Sequence, residues 1–268
     1  MNIQHILVLA RYDVSKAFVS ARGVLFLALY GILWFWILYS LAGGSANWLA
    51  GPEGNAVVSW LLDPSLARHL FLDNPPTLSV AFLLGMSLLP IFVLWGAGDQ
   101  TASDIDNQYL RFIIPRCGRG EIYVGRFLGA VIFITLVHLL VVAAAVFVSA
   151  YADPDSFAAV AGFGVRVAWA VLIYGLPYIA MMSLFGAMTG SAPVAVLVAI
   201  SAYAIISIAG GLLSLNWPEA GAIRYLTPSP LKGPLLVGES GILTTLGMLA
   251  YTAVYFAIGW RIFSRRDI

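Results

Sequence analysis

Arg111, Arg116, Arg119, Glu121 and Arg126 fall within one polar stretch, Asp99–Gly129, which reads DQTASDIDNQYLRFIIPRCGRGEIYVGRFLG. Arginines at this density, interleaved with Tyr109 and Phe112, suit docking rather than bond-making chemistry. A guanidinium pairs with the carboxylates of a protein or with lipid phosphate, and an exposed aromatic ring can fill a cleft on a partner. The residues this pattern offers for coupling to a soluble subunit are Asp106, Tyr109, Arg111, Phe112, Arg116, Arg119 and Glu121. Each arginine equally suits a simpler role, fixing membrane topology.

Other chemistries lack their parts. There is no G-x-x-x-x-G-K-[ST] loop to cradle a nucleotide and no H-E-x-x-H pair to hold a metal. The thirteen acidic residues stand outside the long apolar blocks, so no intramembrane protease dyad or carboxylate relay is in view. His138 lies well inside a block and reads as an interhelical hydrogen-bonding or lumen-facing group before a proton relay. The single cysteine, Cys117, excludes an internal disulfide or a cysteine-rich metal site and reads as a small residue at a turn. No catalytic residue and no metal ligand is therefore expected. Small polar residues inside the blocks are the remaining candidates, for a translocation path. They are Ser201, Tyr203 and Ser207 near Gly210 and Gly211, Tyr174 and Tyr178 beside Pro177, Trp95, and His138. Close helix packing uses the same residue types.

The elements that must position these groups are membrane helices. The chain is 61% hydrophobic and 10% charged with a mean hydropathy of +0.92, where a soluble domain carries about a quarter charged residues. Six blocks reach the roughly 20 apolar residues a span needs: Gly23–Leu41, Leu78–Ala97, Phe127–Tyr151, Val167–Met188, Pro193–Ser214 and Ile242–Phe263. Residues 1–22 read instead as an amphipathic interfacial helix with Ile3, Leu7, Ala10, Val14 and Phe18 on one face. Its Arg11, Asp13 and Lys16 precede an apolar run too long for a signal-peptide core.

Placing both termini in the cytoplasm puts Arg11, Lys16, Arg22, Arg111, Arg116, Arg119, Arg126, Arg261, Arg265 and Arg266 there. Arg68, Arg166, Arg224 and Lys232 face the other side, so the positive-inside rule selects N-in/C-in. Residues 98–126 are then a cytoplasmic hairpin. Thr101 or Ser103 caps a helix running to Ile114 with Ile105, Tyr109 and Phe112 on one face, Pro115 ends it, and a new helix restarts near Glu121. On the outer side, residues 215–241 are half apolar and broken by Pro218, Pro228, Pro230 and Pro234. Too apolar for water and too broken to span, they read as a re-entrant segment. The whole is one all-α membrane domain, 1–268.

Arg119-Gly120-Glu121-Ile122 followed by Gly125-Arg126-Phe127-Leu128-Gly129 resembles the "SRGEILLGKFLGA" segment of ABC-2-type permeases, the membrane subunits of ABC transporters. The order of elements is also similar, including Tyr225-Leu226-Thr227-Pro228 before the last span and a closing Phe263-Ser264-Arg265-Arg266-Asp267. The resemblance implies a multi-pass subunit of a bacterial cytoplasmic (inner) membrane, an exporter in class, binding no cofactor itself. It implies ATP and Mg on a partner ATPase subunit, and a second permease subunit in a homo- or heterodimer. It leaves room for an extracytoplasmic accessory protein and gives no role to nucleic acid. Where the family shows an acidic residue followed shortly by Gly-Thr-Leu, this chain has Asp106-Asn107-Gln108-Tyr109-Leu110, which implies a dedicated ATPase. The alternative from another class is a non-transporting membrane scaffold, its hairpin recruiting a cytosolic partner or transmitting force.

Overall fold

In the computed structural model, residues 2–98, 100–152, 154–238 and 241–266 are described; Asp99 and Asp267, in segments singled out above, lie outside them. The described residues are helical throughout, without strands. They form α1 (Ile3–Val19), α2 (Ala21–Ser40), α3 (Ala46–Ala50), α4 (Asn55–Leu61), α5 (Pro64–Leu72), α6 (Pro76–Gly96), α7 (Thr101–Asp106) and α8 (Leu110–Ile113). Next come α9 (Arg119–Ala152), α10 (Phe157–Thr189) and α11 (Ala192–Asn216). Two 3-10 turns (Pro218–Leu226 and Ser229–Leu231), α12 (Lys232–Val237) and α13 (Gly241–Arg265) complete the chain.

Among the described residues six helical segments, beginning at Ala21, Pro76, Arg119, Phe157, Ala192 and Gly241, are long and apolar enough to cross a membrane. These are the six blocks read from the sequence. Their outward faces are apolar, with Phe35, Trp36, Ile205, Ile208 and Leu249 exposed, as a hydrocarbon surround requires. At about 1.5 Å per residue the 34 residues of α9 reach about 51 Å, longer than the roughly 30 Å of hydrocarbon that one crossing needs. One end of the bundle carries the start of α1, the α7–α8 hairpin and the end of α13. The opposite end carries residues 41–72 and 217–238.

Two local expectations are corrected. In α1 the buried residues are Ile6 and Ala10, whereas Ile3 and Leu7 are 70% and 55% exposed. The packed stripe is rotated toward α9, along which α1 lies, with Ala10 of the expected face buried in it. Gly125 and Gly129 of α9 receive it: a Cβ on Gly125 would stand 2.9 Å from Leu9 Cβ, and one on Gly129 would stand 2.8 Å from Asp13 Cβ. Two glycines four apart let the backbones meet, and no larger residue fits.

The hairpin's first arm is the second correction. It is two short helices, because Gln108 takes a left-handed φ of 56° and Asn107 Nδ2 folds back onto the Ser103 carbonyl at 2.9 Å. Thr101 and Ser103 are buried within α7, whose N-cap position is Gln100, and the arm is sunk among α9, α10 and α11. The inward face is Ile105, Leu110, Ile113 and Ile114, while Tyr109 and Phe112 point outward.

Candidate functional site

Leu110 is fully buried in a small satellite core with Ile122 and Tyr123 of α9, Ala187 of α10 and Phe263 of α13. Ile105, Ile113, Ile114, Cys117, Phe256 and Trp260 pack around it. The hairpin is thereby fixed to the ends of three long helices. A push on its tip is a push on all three, because close-packed interiors transmit strain rather than absorb it.

The seven coupling candidates divide on this frame. Tyr109 and Phe112 are exposed, 55% and 74%, and Asp106, Arg111 and Arg116 are exposed beside them. Asp106 accepts a 3.3 Å bond from Ser191 Oγ. Arg119 and Glu121 are turned inward on the chain itself. Arg119 Nη1 donates to the carbonyls of Ser264 (2.7 Å) and Arg266 (2.8 Å), which ties the start of α9 to the end of α13. Glu121 accepts from Asn2 N (2.6 Å), His5 Nδ1 (2.8 Å) and Gly118 N (3.3 Å), which ties α9 to the start of α1. The solvent-facing tip is therefore aromatic and basic, with Arg119 and Glu121 as its internal struts.

An electrostatic centre that sequence reasoning missed lies just behind the hairpin. Arg126 of α9 is almost fully buried. Its Nη2 donates to Asp104 Oδ1 at 2.9 Å, its Nε stands 2.7 Å from Asp104 Oδ2, and Nη1 bonds Asp13. One guanidinium thus joins α1, α7 and α9. Burial pushes the Asp13 carboxyl up to about 7, with Arg126 opposing the rise and Asp104 adding to it. The sequence offered only charges scattered over 113 residues; no spacing rule links them.

Of the translocation candidates, the structure brings four together. Tyr178 OH donates to Tyr174 OH at 3.0 Å, and the Tyr178 and Tyr203 rings meet edge-on at 5.7 Å. Ser207 lies one turn beyond Tyr203 on α11 and lines a cavity of about 200 Å³ with Arg224, Thr227, Ser229 and Pro230. The Ser207 hydroxyl is buried without a hydrogen-bond partner among the described residues. Ser229 Oγ joins the two groups, 3.2 Å from Tyr178 OH and 3.2 Å from Thr227 Oγ1. The result is a chain of hydroxyls at the joint of α10, α11 and the 217–231 segment. It suits a ligand that both gives and takes hydrogen bonds.

The other three stand apart. Trp95 packs edge-on against Phe26 at 5.6 Å, and Ser201 faces outward. His138 donates from Nδ1 to the Ile134 carbonyl at 2.9 Å, its ring against Tyr30. The 217–238 segment folds against the long helices. Lys232 Nζ reaches the Leu61 carbonyl (2.6 Å) and Ser87 Oγ (3.2 Å), and Leu235 and Leu236 are buried.

None of the curated proteins matches this chain. The sequence pattern of one family matches residues 69–268, three quarters of the chain, including the hairpin, Arg126, the hydroxyl chain and α13. That family is described as "Protein of unknown function (DUF2705)", and the chain belongs to it.

Proposed function

We propose that this chain is the membrane-spanning permease subunit of an ATP-binding cassette exporter, with both termini in the cytoplasm of a bacterial inner membrane. A separate ATPase subunit drives it, and a second permease subunit completes it. The observation that carries the reading is the hairpin, whose inner face is locked by Leu110 to α9, α10 and α13 while Tyr109, Phe112, Arg111 and Arg116 are presented outward. Aromatic and arginine side chains are those that anchor protein interfaces. The resemblance of Arg119–Gly129 to ABC-2-type permeases supports the same assignment, and the excess of arginine at this end supports its cytoplasmic placement. Residues 215–241 serve as the re-entrant element. The cavity beneath them, lined by Ser207, Arg224, Thr227, Ser229 and Pro230, receives the polar end of an amphiphilic cargo, which its hydroxyls hold by hydrogen bonds.

Co-expression with a P-loop ATPase encoded beside this gene tests the assignment. The expected result is a stable complex whose ATPase rate responds to the permease. Tyr109→Ala with Phe112→Ala should reduce co-purification at least tenfold while the permease keeps its unfolding temperature, because surface truncations cost no more than about 0.5 kcal/mol. An intact complex that moves nothing across sealed vesicles would overturn the transport reading in favour of a scaffold.

A further inference from the structure

We propose that His5, Cys117 and Glu121 form a binding site for a zinc-class divalent ion, which clamps the N-terminal helix to the hairpin. The site is new relative to the permease reading and independent of it. The imidazole nitrogen, the thiol sulfur and a carboxylate oxygen all lie within 4.8 Å of one another. They arrive from three places: the first turn of α1, the turn that closes the hairpin, and the first turn of α9.

The separations fit a tetrahedral ion. Zinc bonds of about 2.0–2.3 Å place neighbouring ligand atoms about 3.3–3.7 Å apart. His5 Nδ1 and Glu121 Oε2 are already 2.8 Å apart, so they need only open slightly around an ion. The sulfur, no more than 4.8 Å from either, must close by at most about an ångström on the same bond lengths. Cys117 can do so because it sits in a turn outside regular helix, next to Gly118, whose Cβ position is open space.

The surroundings of the donors are also those of a ligand site. The Glu121 carboxylate is held by two backbone amides, Asn2 N and Gly118 N, so its orientation is fixed without help from an ion. Outer contacts of this kind position ligands and tune their basicity. Asn2 Nδ2 stands 3.5 Å from the other ring nitrogen of His5. The Glu121 side chain is 12% exposed and that of His5 41%, which leaves an entry path and room for water as a fourth ligand. A mixed sulfur, nitrogen and oxygen set selects zinc over magnesium or calcium, which take oxygen ligands alone. Zinc takes the thiolate and not the thiol, so binding releases a proton and affinity should rise with pH. The expectation of no metal ligand rested on the single cysteine and the missing H-E-x-x-H pair; His5 and Cys117 are 112 positions apart and share no motif.

The probe is Zn2+ alone, added to the detergent-purified full chain in a phosphine reductant. One equivalent should bind in equilibrium dialysis, and Zn2+ should slow maleimide labelling of Cys117 at least tenfold, with labelling restored by a chelator. Co2+ in its place should give a thiolate-to-metal charge-transfer band in the near ultraviolet. Cys117→Ser and His5→Gln should each weaken Zn2+ binding at least tenfold and abolish the band, whereas His69→Gln should do neither. Absence of the bound equivalent, or unchanged labelling of the unmutated protein under saturating Zn2+, overturns the proposal whatever the variants do. So does full Zn2+ affinity in Cys117→Ser; the trio would then be an ion pair with a bystander thiol.

Discussion

Arg126 holds Asp104 with two nitrogens, Nη2 at 2.9 Å and Nε at 2.7 Å, in a fork that fixes the distance and the angle between α7 and α9. A third bond from the same guanidinium reaches Asp13 on α1. Lysine offers a single point of charge and cannot reproduce this geometry. Arg126→Lys should therefore lower the unfolding temperature in detergent clearly. Arg126→Met should cost about 3–5 kcal/mol, since two buried carboxylates lose their counter-charge. Adding Asp13→Asn and Asp104→Asn to Arg126→Met should restore part of that loss. Strict additivity of the three substitutions would show that they do not act as one cluster.

The same cluster makes stability depend on pH. Two carboxylates share one guanidinium, so full ionisation leaves surplus negative charge in a dry place. Burial raises Asp13 to about 7 from 3.8, with Arg126 pulling down, Asp104 pushing up and Lys16 pulling down. Between these two values the folded chain holds a proton that the unfolded chain releases. The contribution is complete below about 4 and is lost as pH rises through about 7. The unfolding temperature should accordingly fall between pH 5 and pH 8, by an amount worth a few kcal/mol at most. Asp13→Asn should flatten that slope. An identical slope in the variant would assign the pH dependence to another group.

The crossing of α1 on α9 depends on having no side chain at two positions. A Cβ at residue 129 meets Asp13 Cβ at 2.8 Å and the Ala10 carbonyl at 3.1 Å; at residue 125 it meets Leu9 Cβ at 2.9 Å and the Ile6 carbonyl at 3.2 Å. These obstacles are backbone or the root of a side chain, which cannot swing away. Gly129→Ala and Gly125→Ala should each cost about 1–3 kcal/mol, as overpacking does, and by loosening α1 should speed tryptic cleavage at the already exposed Arg11. Gly31→Ala is the control. Its Cβ meets nothing within 4 Å, so helix propensity alone should make it neutral or stabilising by up to about 1 kcal/mol.

The long spans were legible because hydrophobic length is a local property; all six blocks are helices, with ends displaced by one or two residues except that α9 and α10 begin well before their blocks, at Arg119 rather than Phe127 and at Phe157 rather than Val167. The broken arm at Asn107–Gln108 was not, because a pattern of Ile105, Tyr109 and Phe112 fits one helix as well as two. Which apolar residue faces in was decided by what lay opposite. Leu110 won its place from Phe263, more than 150 residues away. Arg119 and Glu121 read in the sequence as groups for a partner subunit, yet in the structure they bond Ser264, Arg266, Asn2 and His5 of this same chain. Tyr174, Tyr178, Tyr203 and Ser207 stood out as polar groups in apolar helices. Ser229, which joins them, lay in a proline-broken stretch with no period to read.

Lys232 illustrates what sequence counting conceals, since it entered only as one of four positive charges on the sparser side. In the structure its ammonium is anchored on the Leu61 carbonyl at 2.6 Å and on Ser87 Oγ at 3.2 Å. Ser87 lies midway along α6, so one side chain pins the proline-rich segment against a long helix. Lys232→Met keeps the apolar stem and removes the donor. It should leave the Leu61 carbonyl unpartnered at a cost of about 1–3 kcal/mol. Ser87→Ala removes the weaker of the two bonds and should cost about 1 kcal/mol. Amide exchange over residues 229–237 should rise in Lys232→Met while exchange in α9 stays slow, because the loosened unit is the segment and not the bundle. Unchanged protection of those amides would mean that Leu235 and Leu236, buried beside it, hold the segment without the lysine.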